Sequence, residues 1–378
     1  MSEARLGIRE RTLHRTRTST LLSVGVEEEF LLVDRRTGGL ADRAPDVLGD
    51  VDAAGVDLQA EVTLSQVETA SGVCLTMSDL REQLVTARTV LAEQAARHDA
   101  RIVASGTPVL ARRGPNVLTP VPRYQRMGRE FRALTGDLPV CGCHVHIGLP
   151  DDDARVHVSN HLRPWLPTLL AISANSPYYE SRDTGYASWR YQMWGRWPSA
   201  GPPPWFDSAA SYYAASEEVI STGAALDMGM LYWDARLSVT HPTVELRVCD
   251  VAPTVDEAVL IAAISRGIAT TALATEKPAL AVPQHLLRPA LWRAARDGLE
   301  GLGLDMRTRE LVPAGDLAVA LVRWIRPALE FTGDYELVNE SLARLLLDGS
   351  GAARQRKAFA RNGRIEDVVT FLADQTHP

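Results

Sequence analysis

The chain has 378 residues and a net charge of −7, and its 46% hydrophobic and 23% charged content are those of a soluble globular protein. The acidic balance argues against a polyanion as main partner, because nucleic-acid binders carry a basic excess or patch, yet it leaves room for a nucleotide held locally. No apolar run nears the roughly 18 residues of a membrane span, and four cysteines are too few for a disulfide scaffold, so a cytoplasmic setting without nucleic-acid or membrane partners is expected.

Residues 1–20 carry Arg5, Arg9, Arg11, Arg15 and Arg17 with no hydrophobic segment behind them, which excludes a secretory signal. Residues 1–21 read as a polar, mobile extension. Residues 24–33 (VGVEEEFLLV) read as a strand. Alternation puts Glu27 and Glu29 on one face with Leu31, and Glu28 on the other with Val26, Phe30 and Leu32. Two like charges along one strand face need compensation, and a hard divalent cation with oxygen ligands would supply it. A solvated face or arginine partners would do so equally well.

Residues 34–57 read as a loop, and 58–69 as a second strand-like region carrying Glu61 and Glu68. Seven positions apart, these two face opposite ways on a straight strand, so they converge only if the chain bends or bulges between them. Leu80, Leu84, Ala87, Leu91 and Ala95 recur at helical spacing and predict an amphipathic helix over 78–98, followed by a short strand over 101–105. This is the rhythm of a mixed helix-and-sheet architecture.

Residues 139–148 contain C-G-C-H-V-H, which tempts a zinc reading. On a strand, Cys141 and Cys143 face away from His144 and His146, so the four cannot close on one ion. The histidines are metal or phosphate contacts, or polar residues satisfied beside a core. Residues 156–173 look helical with an entry or kink at Pro164 and Pro167. The aromatic-rich segment 178–204 that follows has the composition of a binding loop. Its Arg182 and Arg190 suit a small carboxylate, or stacking on the nearby tryptophans.

Residues 230–239 and 244–251 read as a hairpin, with Asp234, Arg236 and Ser238 on one arm and Glu245, Arg247 and Cys249 on the other. Glu245 and Arg247 could hold a metal and a phosphate, or pair with neighbours. Thr254 and Glu257 form a capping box that opens a helix to about residue 275. At least three more helices are expected near 315–331, 335–347 and 364–374, with the basic run 354–357 as solvated surface. No phosphate-cradling glycine loop, dinucleotide fingerprint or nucleophile elbow is present, so phosphate would have to be held by metals and arginines.

Five stretches in order (25–30, 59–68, 141–148, 173–177 with 182–185, and 243–250) resemble glutamate–cysteine ligase family 2, the carboxylate–amine ligases with a glutamine-synthetase-like catalytic sheet. The resemblance covers residue 22 to the C-terminus and implies one α+β catalytic domain over 22–378: a curved antiparallel sheet forms an active-site tunnel, with helices packed outside. It implies ATP-dependent activation of a substrate carboxylate, the γ-carboxyl of glutamate in the family's usual reaction, as an acyl phosphate. An amine such as cysteine then displaces phosphate to give an amide. Mg²⁺ or Mn²⁺ would be held by Glu27, Glu29, Glu61, Glu68, His144 and Glu245. Arg247, Arg236 and His146 would contact ATP, and Arg190 with Arg182 the substrate carboxylate. Arg247, Glu29 and Arg190 would carry catalysis, while Glu28 is expected to be paired structurally. Small-molecule substrates and a homodimer complete the expectation. The alternatives are the same chemistry with another amine or peptide acceptor, a nucleotide–metal-binding protein without turnover, or a metal-dependent hydrolase.

Overall fold

A computed structural model describes residues 21–49, 56–112, 114–136, 139–275 and 277–378. The polar extension expected over 1–21 thus falls, apart from Leu21, outside the described residues. Strand β1 (Val24–Asp34) organises the rest. Val24, Val26, Glu28 and Phe30 are buried, and Gly25, Glu27 and Glu29 alternate with them on the more open face. Beyond Glu29 the alternation stops, and Leu31 is buried along with Leu32, because neighbours cover both faces there.

The helix α1 (Ala44–Gly49) interrupts the loop expected after β1. The region expected as a second strand is two, β2 (Asp57–Ala60) and β3 (Gln66–Ala70), paired antiparallel around residues 61–65. The bend that Glu61 and Glu68 require is therefore a complete chain reversal. Helix α2 (Met77–Arg97) matches its hydrophobic stripe and starts at Thr76, whose hydroxyl accepts the Asp79 N–H. Strand β4 (Ala100–Val103) follows, then α3 (Pro122–Phe131), α4 (Ala133–Gly136) and β5 (Cys143–Gly148). Helices α5 (Asp152–Leu162) and α6 (Leu166–Ser173) are split by a 3₁₀ turn at Pro164.

The ribbon β6 (Tyr178–Tyr179) and β7 (Arg182–Asp183) leads to α7 (Trp189–Trp194) and α8 (Ala209–Ser221). The expected hairpin is present but shorter, as β8 (Ala235–Leu237) and β9 (Thr243–Leu246). Helix α9 (Val255–Ala274) opens at the Thr254 cap, with α10 (Gln284–Asp297) behind it. The tail holds four helices, one more than the sequence marks: α11 (Ala314–Thr332), α12 (Tyr335–Asp348), α13 (Gly351–Asn362) and α14 (Ile365–Thr376).

The main sheet runs β2-β3-β1-β5-β9-β8, every pair antiparallel, with β4 continuing beside β1 past the end of β5. Its apolar face, including Val24, Val26, Val145, Ile147, Val244 and Leu246, packs on α2, α5, α6 and α9. In length and composition α9 could cross a membrane, which run-length reading misses because Arg266 interrupts it, but here it is a core helix. The result is the expected α+β arrangement, an antiparallel sheet backed by helices. Cys74, Cys141, Cys143 and Cys249 are all free and buried, so they behave as small hydrophobes.

Glu28 lies among the core residues and is fully buried, and Arg88 of α2 meets it with two hydrogen bonds of 2.6 and 3.0 Å. Arg88 also donates to the carbonyls of Ala252 and Pro253, so its donors are satisfied where no water reaches. The pairing expected for Glu28 is thus a bidentate buried one.

Candidate active site

Register assembles the site on the other face of the sheet. Glu27 pairs with His144 and Glu29 with Glu68, while His146 and Arg236 flank Glu245 across β5, β9 and β8. Directly opposed residues bring their Cβ atoms within about 5 Å, so these side chains converge with no contribution from loops. Glu61 joins them from the β2–β3 turn, where its charge acts on both Glu29 and Glu68. Gly25 and Gly142 leave space in the middle. A Cβ on Gly142 would overlap the Arg190 guanidinium, and its N–H donates to Glu29 at 2.6 Å.

The site has two unlike halves. In the first, Glu27 lies 3.3 Å from His144 Nδ1 and 3.2 Å from His146 Nε2. Glu245 is gripped by Arg236 at 2.8 and 3.2 Å and also accepts from Arg247. Burial raises the pKa of Glu27 and Glu245, but these partners outweigh it and hold both well below the usual carboxylate range. Burial and then Arg247 push His144 down to about 4, so its ring is neutral and able to ligate a metal. His146 is shifted up: burial opposes its charge, but Glu27 and Glu245 prevail.

The second half has too few cations. Glu29, Glu61 and Glu68 crowd together, and burial followed by the Glu61 charge pushes Glu29 up to about 8. Glu68 is pushed well above the carboxylate range by burial and by Glu61, Glu27 and Glu29. The same charges, after burial, raise the Tyr124 hydroxyl. Without cations Glu29 and Glu68 keep protons that a divalent ion would displace.

The residues fit such ions. Ligand atoms of Glu27, His144 and Glu245 lie within 4.8 Å of one another. His144 Nε2 is buried without a hydrogen-bond partner, 3.8 Å from Glu29, and its other ring nitrogen is oriented by Glu27. An oxygen-rich set with one imidazole favours Mg²⁺ or Mn²⁺ over zinc.

Five of the six residues read as metal ligands are thus brought together by strand register and the sixth, Glu61, by the turn. Arg247 has a buried Nε with no partner facing this cluster. Arg236 is occupied, since besides Glu245 it donates to the Gly229 and Leu231 carbonyls. Arg190 is buried at the Glu29 end, 3.9 Å from Asp250. Arg182 is not brought in: on the β6–β7 ribbon its side chain is 68% exposed and lies 3.9 Å from Glu180. A binding-loop composition put it beside Arg190, but the turn at Glu180 and Ser181, both with positive φ, directs the ribbon outward.

A cleft of about 490 Å³ opens onto Glu27, His146, Arg236 and Glu245, rimmed by the Arg123–Asp227 ion pair, and this volume suits a small-molecule ligand. A separate cavity of about 280 Å³ among the helices, lined by Trp165, Trp324 and Met306, holds none of these residues. Sequence reading missed Tyr124, Arg123, Thr243 (2.8 Å from His146 Nδ1) and the role of Gly142. The glycine between two cysteines in an apolar strand was the one visible signal, since an interior strand glycine marks a close approach.

A Mycobacterium sp. (strain KMS) protein named "Putative glutamate--cysteine ligase 2-2" is 47% identical over 363 residues, spanning 94% of this chain and 98% of its own length. A Mycolicibacterium smegmatis (strain ATCC 700084 / mc(2)155) protein named "Putative glutamate--cysteine ligase 2-3" is 46% identical over 357 residues, 93% of this chain and 97% of its own. Among solved structures, glutamate–cysteine ligase from Francisella tularensis in complex with AMP superposes with a TM-score of 0.68 at 14% identity, covering 95% of this chain and 89% of that one. A bifunctional glutathione synthetase from Pasteurella multocida gives 0.68 at 16% identity, over 94% of this chain and 52% of that longer one.

The sheet, its charged face and these relatives define an ATP-dependent ligase that forms a carbon–nitrogen bond. The chain belongs to glutamate–cysteine ligase family 2, whose pattern matches residues 23–371.

Proposed function

We propose that the protein activates a substrate carboxylate, the γ-carboxyl of glutamate first, as an acyl phosphate and joins it to an amine such as cysteine. The observation that carries this reading is the surplus of carboxyl groups over cationic partners where Glu29, Glu61 and Glu68 meet beside Arg190 and Arg247. Such a surplus suits phosphoryl transfer, which depends on positioning and charge neutralisation and needs no side-chain nucleophile. The Francisella ligase of the same fold was solved in complex with AMP, which supports a nucleotide as ligand here.

Glu27, Glu29, Glu61, Glu68, His144 and Glu245 would hold Mg²⁺ or Mn²⁺, which when bound neutralise phosphate oxygens. Arg247, with its free Nε, would contact the transferred phosphoryl group, and His146 with Arg236 would border the nucleotide. Arg190 would fix the substrate carboxylate next to Glu29. In the first step a substrate carboxylate oxygen attacks the γ-phosphorus and ADP leaves. In the second the amine attacks the acyl carbon, the C–O bond to phosphate breaks, inorganic phosphate leaves, and the amine loses a proton as the amide forms. We extend the reading to one catalytic unit over residues 22–378, working as a cytoplasmic homodimer.

The test is phosphate release from ATP with Mg²⁺ and glutamate across a panel of amino acids and amines, with mass detection of products. Amide with cysteine is the expected result. Amide with a different amine would keep the chemistry and replace the acceptor. Nucleotide binding without turnover across the panel would overturn the ligase reading for this chain.

A further inference from the structure

Residues 173–177 and the end of the 243–250 stretch carry part of the family resemblance but have no task in the chemistry above. The structure joins them at Asp250, which is fully buried. Its Oδ2 accepts the Asn175 N–H at 2.9 Å and the Ser176 hydroxyl at 2.7 Å, and its Oδ1 accepts the Ser188 hydroxyl at 2.8 Å. The Ser176 Oγ also accepts the backbone N–H of Arg190 at 3.1 Å. One hydroxyl therefore ties the Asp250 carboxylate to the residue it faces.

The Arg190 side chain is held loosely by everything else. Its Nη atoms reach the Val248 and Arg247 carbonyls only at 3.4 and 3.3 Å, and its Nε has no partner although the residue is buried. The nearest full counter-charge on its inner side is Asp250 Oδ1, 3.9 Å from Nη1. Asp250 itself cannot retreat, because Gly106 packs so close that a Cβ there would sit 2.9 Å from its Cγ. On its outer side the guanidinium lies against Gly142, whose N–H holds Glu29.

We propose that Asp250 is a positioning residue. Fixed by Asn175, Ser176 and Ser188, it sets the depth and orientation of the Arg190 guanidinium and leaves Nε free for substrate. This rests on the reading of Arg190 as the contact for the substrate carboxylate. It predicts a role separable from stability: loosening the network displaces a charge that touches one substrate and leaves the nucleotide end alone.

The experiment measures glutamate-dependent phosphate release, varying glutamate and ATP separately, for Arg190→Lys, Asp250→Asn and Ser188→Ala, each first checked for native circular dichroism. Arg190→Lys and Asp250→Asn are each expected to raise the glutamate KM about tenfold or more, the scale of one weakened charge-assisted contact, with the ATP KM within about twofold. Ser188→Ala should move the same constant by a few-fold. A folded Asp250→Asn with wild-type glutamate KM, alongside a raised KM in Arg190→Lys, overturns the positioning role alone. If Asp250→Asn does not fold, an unchanged glutamate KM in Ser188→Ala overturns it. An unchanged KM in Arg190→Lys removes the underlying reading of Arg190, and this inference with it.

Discussion

Glu28 and Glu29 sit side by side on β1, and the two clusters they belong to lie back to back across the sheet. Glu28 is fully buried, but its charge is matched by one guanidinium whose remaining donors are also satisfied. Glu29 is only partly buried, with 12% of its side chain exposed, and its neighbours Glu61 and Glu68 oppose its charge. The first cluster is complete as it stands. The second is left with more carboxyls than cationic partners, and a chain loses stability in keeping such a cluster assembled. Charge balance, rather than burial or sequence position, separates the two clusters.

The largest effect should come from Glu29→Gln, which removes one proposed metal ligand at nearly constant volume. Phosphate release is expected to fall by a hundredfold or more, with the circular dichroism spectrum unchanged. Turnover near wild type would erase the distinction between the two clusters.

Arg88→Met should do the opposite and damage the fold. Breaking one side of a buried ion pair leaves a charge without a partner, at a cost of about 3–5 kcal/mol, readable as a shifted urea midpoint. Replacing Glu28 with Leu as well should recover most of that loss.

Saturating Mg²⁺ should raise the thermal midpoint of the wild type, by about 2.7 kcal/mol of added stability at a hundredfold excess over Kd. The Glu29→Gln protein should gain much less, and an equal gain would place the ion elsewhere. With divalent ions chelated, Glu68→Gln should be more stable than wild type near neutral pH, because the wild-type carboxyl has to take up a proton to fold and the amide does not. A loss of stability there would mean that the second cluster is balanced after all. Arg182→Ala, out on the ribbon, should stay within about 0.5 kcal/mol in stability and within twofold in turnover.

Much of this was legible in the chain. β1, α2 and α9 followed from hydrophobic periodicity and capping residues, and the alternation of Glu27, Glu28 and Glu29 already assigned each to a face. Glu61 and Glu68 were readable as a geometric demand for a bend, though its form as a hairpin was not. α13 escaped because its buried face is built from Gly351, Ala352, Gln355 and Ala358, which give no apolar stripe. The basic run within it is engaged rather than solvated: Arg354 pairs with Glu257, Arg356 with Asp183, and buried Gln355 donates to Asn175 Oδ1 at 2.7 Å. Asp250 escaped for a related reason, since its partners come from segments more than sixty residues away and only the folded chain brings them together.

The alternation along β1 also acts as a reading frame. Deleting a single residue between Gly25 and Phe30 would leave composition almost unchanged, but it would turn every position on one side of the cut to the opposite face. A hydrophobe such as Phe30 or Val26 would then turn into the face that carries the carboxyls and histidines. Length variation in this protein should therefore collect in segments such as the loop after β1, while the six positions from 25 to 30 admit no change in their number.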